Sequence, residues 1–221
     1  MSSGSGGRGG AVFIGKRSSL VVKDSIITDS YAGSAGGGMF SDEGGLLDLS
    51  ASVFRDCVAQ DGGGLHLNGA VVLNLSHVTM ERNASTGSRG GALNAAGVLG
   101  GNTIAIHGGM FINNSAVAFG GMACLWPASA MVMDGDTEVV GSRSGSGAGI
   151  YARETSSVVL RDVVLRVGAA SAHGGGIYMH TGSHLAVMRI SIHGNTAVGR
   201  GGGVALYRLQ HDGRQLVCQS Q

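Results

Sequence analysis

The sequence is poor in the features on which several protein classes depend. It holds three cysteines, Cys57, Cys124 and Cys218, an odd number at unrelated positions, which excludes a disulfide framework. Charged residues make up 13% of the chain, with 15 Lys and Arg against 14 Asp and Glu and a net charge of +1. The basic residues are scattered and do not interleave with aromatics, so a nucleic-acid partner is not expected. No apolar run approaches the ~18 residues that cross a bilayer, so no transmembrane segment is expected. No stretch carries an apolar stripe of helical period.

Glycine is abundant instead, with 42 residues, and its placement is periodic. Clusters occur at GGAVF, GGGMF, GGGLHL, GGALN, GGMAC, GAGIY, GGGIYM and GGGVAL. Their last glycines are Gly10, Gly38, Gly64, Gly91, Gly121, Gly149, Gly176 and Gly203, at intervals of 28, 26, 27, 30, 28, 27 and 27 residues. A fixed period of roughly 20 to 50 residues signals a solenoid, propeller or array. Each interior glycine also costs a helix roughly 1 kcal/mol relative to alanine.

Three apolar groups follow each cluster, as in GGGLHL, VVLNL and VTM. Their alternation reads as short strands with only turns between them. Three strands per period of about 27 residues leave no room for a crossover helix. A propeller blade needs four strands and a longer repeat, and the LxxLxL pattern of leucine-rich repeats is missing. The expected fold is all-β, a right-handed parallel β-helix of about eight coils, on the order of 35–40 Å long at the strand spacing. The glycine clusters are expected to turn its corners and to let coils approach closely.

The periodicity marks residues 9–221 as one solenoid, with residues 1–8 a flexible Gly/Ser-rich lead-in that lacks the apolar core of a signal peptide. No polar capping element is evident at either end, as solenoids normally require. The expectation is a fragment or module of a longer chain, or ends that a partner covers, with end-to-end self-association as one form of that.

The segments MERNASTGSRGGAL, FINNSAVAFGGMA and SIHGNTAVGRGGGVAL place an apolar residue, then Asn83, Asn114 or Asn195, then small residues before a glycine cluster. This pattern resembles the FxxN and GGA repeats of chlamydial-type polymorphic outer membrane proteins and, more broadly, the pectin-lyase-like right-handed β-helix superfamily. Phe111 with Asn114 gives the full FxxN, whereas Phe54 is followed by Cys57. The resemblance implies an exported or surface-displayed rod used in adhesion or as a scaffold, in an extracellular or cell-surface location. The three asparagines are expected to be structural, tolerating a left-handed bend and bonding to backbone groups there. Ser30 and Asp56 stand at comparable positions.

Many pectin-lyase-like proteins cleave acidic polysaccharides, a reaction that needs carboxylates set for acid–base chemistry. Asp48, Asp56 and Asp61 fall in one coil, Asp134 and Asp136 in another, Asp162 in a third. Only the DGD of residues 134–136 is a close pair, and it reads as a turn. HGN (193–195) and RIS (189–191) lack the motifs that accompany them in glycosidases. No GGxGxD calcium repeat occurs, and His173, His180, His184 and His193 lack a carboxylate or Cys to complete a zinc set. A Ser/His/Asp triad cannot be assigned in so serine-rich a chain. No catalytic residue, metal or cofactor is expected. Of three N-x-S/T triplets, at Asn74, Asn83 and Asn113, Asn74 lies inside an expected strand.

One surface pattern remains. Taking the residues one and three places after each last glycine as inward, the residue between them points outward: Val12, Phe40, His66, Leu93, Ala123, Tyr151, Tyr178 and Ala205. Cys124 is then inward, a small core hydrophobe. Phe40, His66, Tyr151 and Tyr178 are candidate binding residues for a polysaccharide or a cell-surface protein, in a column whose plainer reading is that it covers the sheet or stabilises it by stacking. The function expected is a non-catalytic rod or adhesion and binding scaffold; the alternative is a carbohydrate-active lyase or hydrolase on the same fold.

Overall fold

In the computed structural model, which describes residues 5–97 and 100–207, the chain is a parallel β-solenoid. It contains strands and turns and, among the described residues, no helix. Among the described residues, two eight-stranded sheets and one twelve-stranded sheet run along the rod, about seven turns from first strand to eighth. All the strand pairs are parallel, as in Ile150–Ala152 against Ile177–Met179, where Ile150 pairs with Ile177 and Tyr151 with Tyr178.

The three sides are not the three expected strands. The second and third apolar groups belong to one sheet, and in Val72–Glu81 and Thr103–Ile112 they are a single bent strand. The remaining side consists of short strands just upstream of the glycines, such as Tyr31–Ala35, Ala84–Ser85 and Ala169–His173. Mostly small and polar residues form them, so they carry no apolar alternation. Ser5–Arg8 pairs with Tyr31–Ala35 as the first of these, so residues 5–8 belong to the solenoid rather than to a flexible lead-in. The C-terminal segment with Cys218 lies outside the described residues.

The core is a set of apolar ladders, one rung per coil. Leu47, Leu73, Ile104, Met131, Val158 and Leu185 occupy one register; Phe54, Met80, Phe111, Val139 and Leu165 another. All are buried. Apolar burial contributes about 25 cal/mol per Å², and a narrow three-sided tube obtains it by stacking like on like.

Strand register corrects the glycine frame. Met39, Leu65, Leu93, Ala123, Ile150, Ile177 and Val204 share one inward rung. Ala92 and Met122 therefore hold the place that Gly64 and Gly149 hold in other coils, and counting from the last glycine slips by one residue in those coils and the first. The left-handed residue is the first glycine of each cluster, for example Gly120 at φ 64°. The last glycines serve close approach instead. A Cβ on Gly64 would meet the Ala92 carbonyl oxygen at 2.6 Å, and one on Gly176 that of Gly203 at 2.6 Å; Gly38, Gly91, Gly121 and Gly149 face similar backbone contacts, whereas Gly203 faces only an Ile192 methyl at 3.2 Å.

The asparagines sit at the next corner, and the left-handed residue there is the one before them: Arg82, Asn113 and Gly194, at φ 52°, 52° and 64°. Their amides bridge coils. Asn83 Oδ1 accepts from the Cys57 main-chain N–H at 3.1 Å, and Asn114 Oδ1 accepts from both the Asn83 main-chain N–H at 3.0 Å and Asn83 Nδ2 at 3.1 Å. Nδ2 of Asn83, Asn114 and Asn195 donates to the carbonyls of Phe54, Met80 and Leu165. Cys57, not Asp56, occupies the equivalent place in its coil; Asp56 is the left-handed residue before it, at φ 55°. Ser30 is aligned with this column as expected.

Candidate functional site

The outward column of the second sheet forms the floor of a lengthwise groove. In true register it reads Phe13, Phe40, His66, Asn94, Cys124, Tyr151, Tyr178 and Ala205. The four candidates Phe40, His66, Tyr151 and Tyr178 all belong to it. Val12, Leu93 and Ala123 point inward instead, because of the frame slip, and Cys124 points outward although it is fully buried.

Parallel in-register pairing holds successive rings one coil apart, so they stack. Phe13 and Phe40 lie 5.5 Å apart and 2° from parallel, Phe40 and His66 5.2 Å and 9°, Tyr151 and Tyr178 5.4 Å and 14°. His66 Nδ1 meets Asn94 Nδ2 at 3.1 Å, and the Trp126 indole N–H donates to Cys124 Sγ at 3.0 Å. The column is not an open platform: Phe40, His66, Tyr151 and Tyr178 are 2%, 8%, 3% and 8% exposed. Stacking and cover, rather than free ring faces, describe these residues.

Two further columns supply the cover. One is the residue before each first glycine, including Arg8, Asp61, Arg89, Phe119, His173 and Arg200; the other stands two places after the floor residue of its coil and includes Asp42, Asn68, Trp126, Arg153 and His180. Arg8 lies 5.2 Å over the Phe40 ring. Arg89 and Arg153 lie 4.2 and 4.0 Å from the Trp126 ring centre, a double cation–π stack that roofs the groove at Asn94 and Cys124. Phe119 reaches Tyr151 at 4.5 Å. Near the far end His173 and His180 flank Tyr178 at 5.9 and 6.0 Å, beside a cavity of about 450 Å³ bordered by Arg200, Ala205 and Tyr207.

Burial sets the chemistry of the floor. It pushes His66 down to about 4, with Arg8 and Arg89 adding to the effect, so the ring is neutral at pH 7. It pushes the Cys124 thiol and the Tyr151 phenol up to about 12, which leaves neither a usable nucleophile. Tyr178 is shifted upward for the same reason.

The other titratable residues weighed from the sequence are dispersed. Asp56 takes a two-pronged contact from Arg82 at 2.8 Å, and Asp162 one from Arg189 at 2.6 and 2.7 Å. Asp61 Oδ1 accepts from the Arg89 main-chain N–H. Asp134 lies 2.7 Å from His107 Nδ1 at a sheet bend, and Asp136 is a left-handed turn residue. His184 and His193 lie on the twelve-stranded sheet, whereas His173 lies on another sheet and His180 just after the strand Ile177–Met179. Among the described residues no group of three or more His, Cys, Asp or Glu is placed to hold a metal, and no helix is long and apolar enough to cross a membrane. Asn83, one of the three glycosylation-type asparagines, is fully buried.

Sequence reasoning missed Asn94, Trp126, Arg89, Arg153 and Phe119. The residue before each first glycine recurs with the coil period, and that is the signal that points to one wall. Fold and groove together define a parallel β-solenoid with a roofed, aromatic-floored groove. Compared with family models, curated proteins and solved structures, the chain matches none.

Proposed function

We propose that the chain is a surface or extracellular β-helix repeat protein that acts without catalysis, as a structural rod or an adhesion and binding scaffold. The observation that supports this is the uninterrupted register of its sheets, in which core, asparagine and groove side chains alike bond or stack onto their equivalents one coil away. Such a ladder makes a stiff body with quasi-one-dimensional coupling, suited to presenting one face at fixed spacing. The resemblance to polymorphic outer membrane protein repeats and to pectin-lyase-like proteins points the same way, while fold alone does not fix function.

Since the floor rings are covered, the binding surface assigned is the groove rim: Trp126, Arg89, Arg153 and Arg200, with the floor tyrosines as its support. Its ligand is a polysaccharide or a cell-surface protein. The test is binding to glycan arrays and to cell surfaces by the intact chain and by Trp126→Ala. Specific binding that the substitution weakens at least tenfold is expected; binding unchanged by it refutes the assignment to the rim.

One observation favours a second reading, a carbohydrate-active enzyme: the Asp134 carboxylate holds the exposed His107 at 2.7 Å, the arrangement of an oriented general base. Release of reducing or unsaturated sugar ends from pectin or alginate, abolished by Asp134→Ala, establishes that reading in place of the first. Self-association through the coil ends predicts light scattering that rises with concentration.

A further inference from the structure

Among the described residues, five buried side-chain polar atoms lack a hydrogen-bond partner, and three of them lie in one stretch of the groove: Arg89 Nε, Asn94 Oδ1 and Arg153 Nε. A buried unpaired polar group is costly, and a cluster of them marks a place where closure is held at a disadvantage. The same stretch contains His66, one rung from Asn94 in the floor. Arg89 joins the two halves, for it stands on the wall beside this floor and stacks on Trp126.

We propose that the Arg89–Trp126–Arg153 roof is an acid-released latch: protonation of His66 in the floor drives Arg89 off Trp126 and opens the groove above Asn94 and Cys124.

The groups around His66 make the imidazolium unwelcome. Phe40 stacks on one side, and the Asn94 amide meets Nδ1 on the other with its N–H₂ group. A protonated Nδ1 would face that donor with another donor. Arg8 and Arg89 both oppose positive charge on the ring, and only the Asp61 main chain favours it. The Asp61 carboxylate is engaged by the Arg89 main-chain N–H at 3.0 Å, and the Asp42 carboxylate by Asn68 Nδ2 at 2.9 Å. Arg8 opposes the charged ring more strongly than Arg89 but lies over Phe40, away from the roof, so Arg89 is the one of the two whose movement frees the tryptophan.

The direction follows from linkage. His66 titrates at about 4 with the groove closed and at its ordinary value of 6.5 once solvated. The closed form is therefore most favoured above pH 6.5 and loses ground as the pH falls from there towards 4, so any opening that His66 drives develops between those limits.

The chain has a single tryptophan, Trp126, which reports directly on the roof. Acrylamide quenching of its fluorescence is measured on the intact chain from pH 7.5 to 3.5, with far-ultraviolet circular dichroism in parallel. The expected result is a rise in quenching of about threefold or more with a midpoint between pH 6.5 and 4, at constant β-sheet dichroism. The rise is absent in His66→Phe, whose ring continues the Phe13–Phe40 stack and cannot take a proton, and in His66→Gln, a second neutral replacement should the first fold poorly. The latch is overturned if wild-type quenching stays flat down to pH 4, if it rises only together with loss of the β-sheet signal, or if either folded variant keeps the wild-type transition.

Discussion

Asn114→Ala tests whether the asparagine column, rather than the apolar core alone, holds adjacent coils together. Asn114 is fully buried, and its Oδ1 accepts two hydrogen bonds from Asn83, one from the main chain and one from the side chain. Alanine strips the Asn83 main-chain N–H of its acceptor and the buried Met80 carbonyl of its Asn114 Nδ2 donor, while Asn83 Nδ2 keeps its bond to Phe54 O. Each orphaned buried group costs about 1–3 kcal/mol, so the loss is about 2–6 kcal/mol. The internal control is Asn195→Ala. Asn195 makes the same kind of bonds, to Gly168 N and Leu165 O, but is only partly buried, so water replaces it at a cost of about 1 kcal/mol. Asn114→Ser recovers little, because a serine in the equivalent place, Ser142, is buried with its hydroxyl unpartnered. Urea unfolding read by tryptophan fluorescence and by circular dichroism gives the values, and coincidence of the two signals checks that coils unfold as one unit. A cost for Asn114→Ala below about 1 kcal/mol, or no greater than that of Asn195→Ala, refutes the reasoning.

Three other outcomes follow. Gly120→Ala forces a side chain onto φ 64° with the Ala123 carbonyl oxygen 2.1 Å from the new Cβ, and is expected to cost more than about 2 kcal/mol, against under about 1 kcal/mol for Gly203→Ala; equal effects in thermal unfolding contradict this. Burial holds Cys57 at about 11 and Cys124 at about 12, so neither reacts with a thiol reagent at pH 8 until the chain unfolds; peptide mass mapping that finds native Cys124 labelled sinks the assignment. Phe111→Ala empties a fully buried rung beside Met80 and Val139, with an expected loss of about 3–5 kcal/mol in the same urea assay, and a loss near zero means the rung is not packed as described.

The glycine clusters made the coil period, the all-β class and the stacked architecture legible, because a left-handed corner recurs once per coil and glycine fills its first place in every cluster. The frame within the coil was harder to read. Ala92 and Met122 hold positions that Gly64 and Gly149 hold elsewhere, and a slip of one residue exchanges inward for outward in a strand. That slip hid Asn94 and Cys124 from the outward column. The side formed by strands such as Ala84–Ser85 was illegible because small polar residues give no alternation. The roof depends on Arg89, Trp126 and Arg153 meeting across coils, and that meeting is set by register between strands, which the sequence does not display.

Residues about 27 apart are neighbours in parallel strands, and every contact between coils follows from that. Nuclear Overhauser spectroscopy of the labelled chain measures this directly. The expected result is ring contacts between Tyr151 and Tyr178 and backbone contacts between Ile150 and Ile177, in the pattern of parallel strands. Strong Hα–Hα contacts of the antiparallel kind between sequence-adjacent strands, or helical amide contacts between glycine clusters, would contradict it.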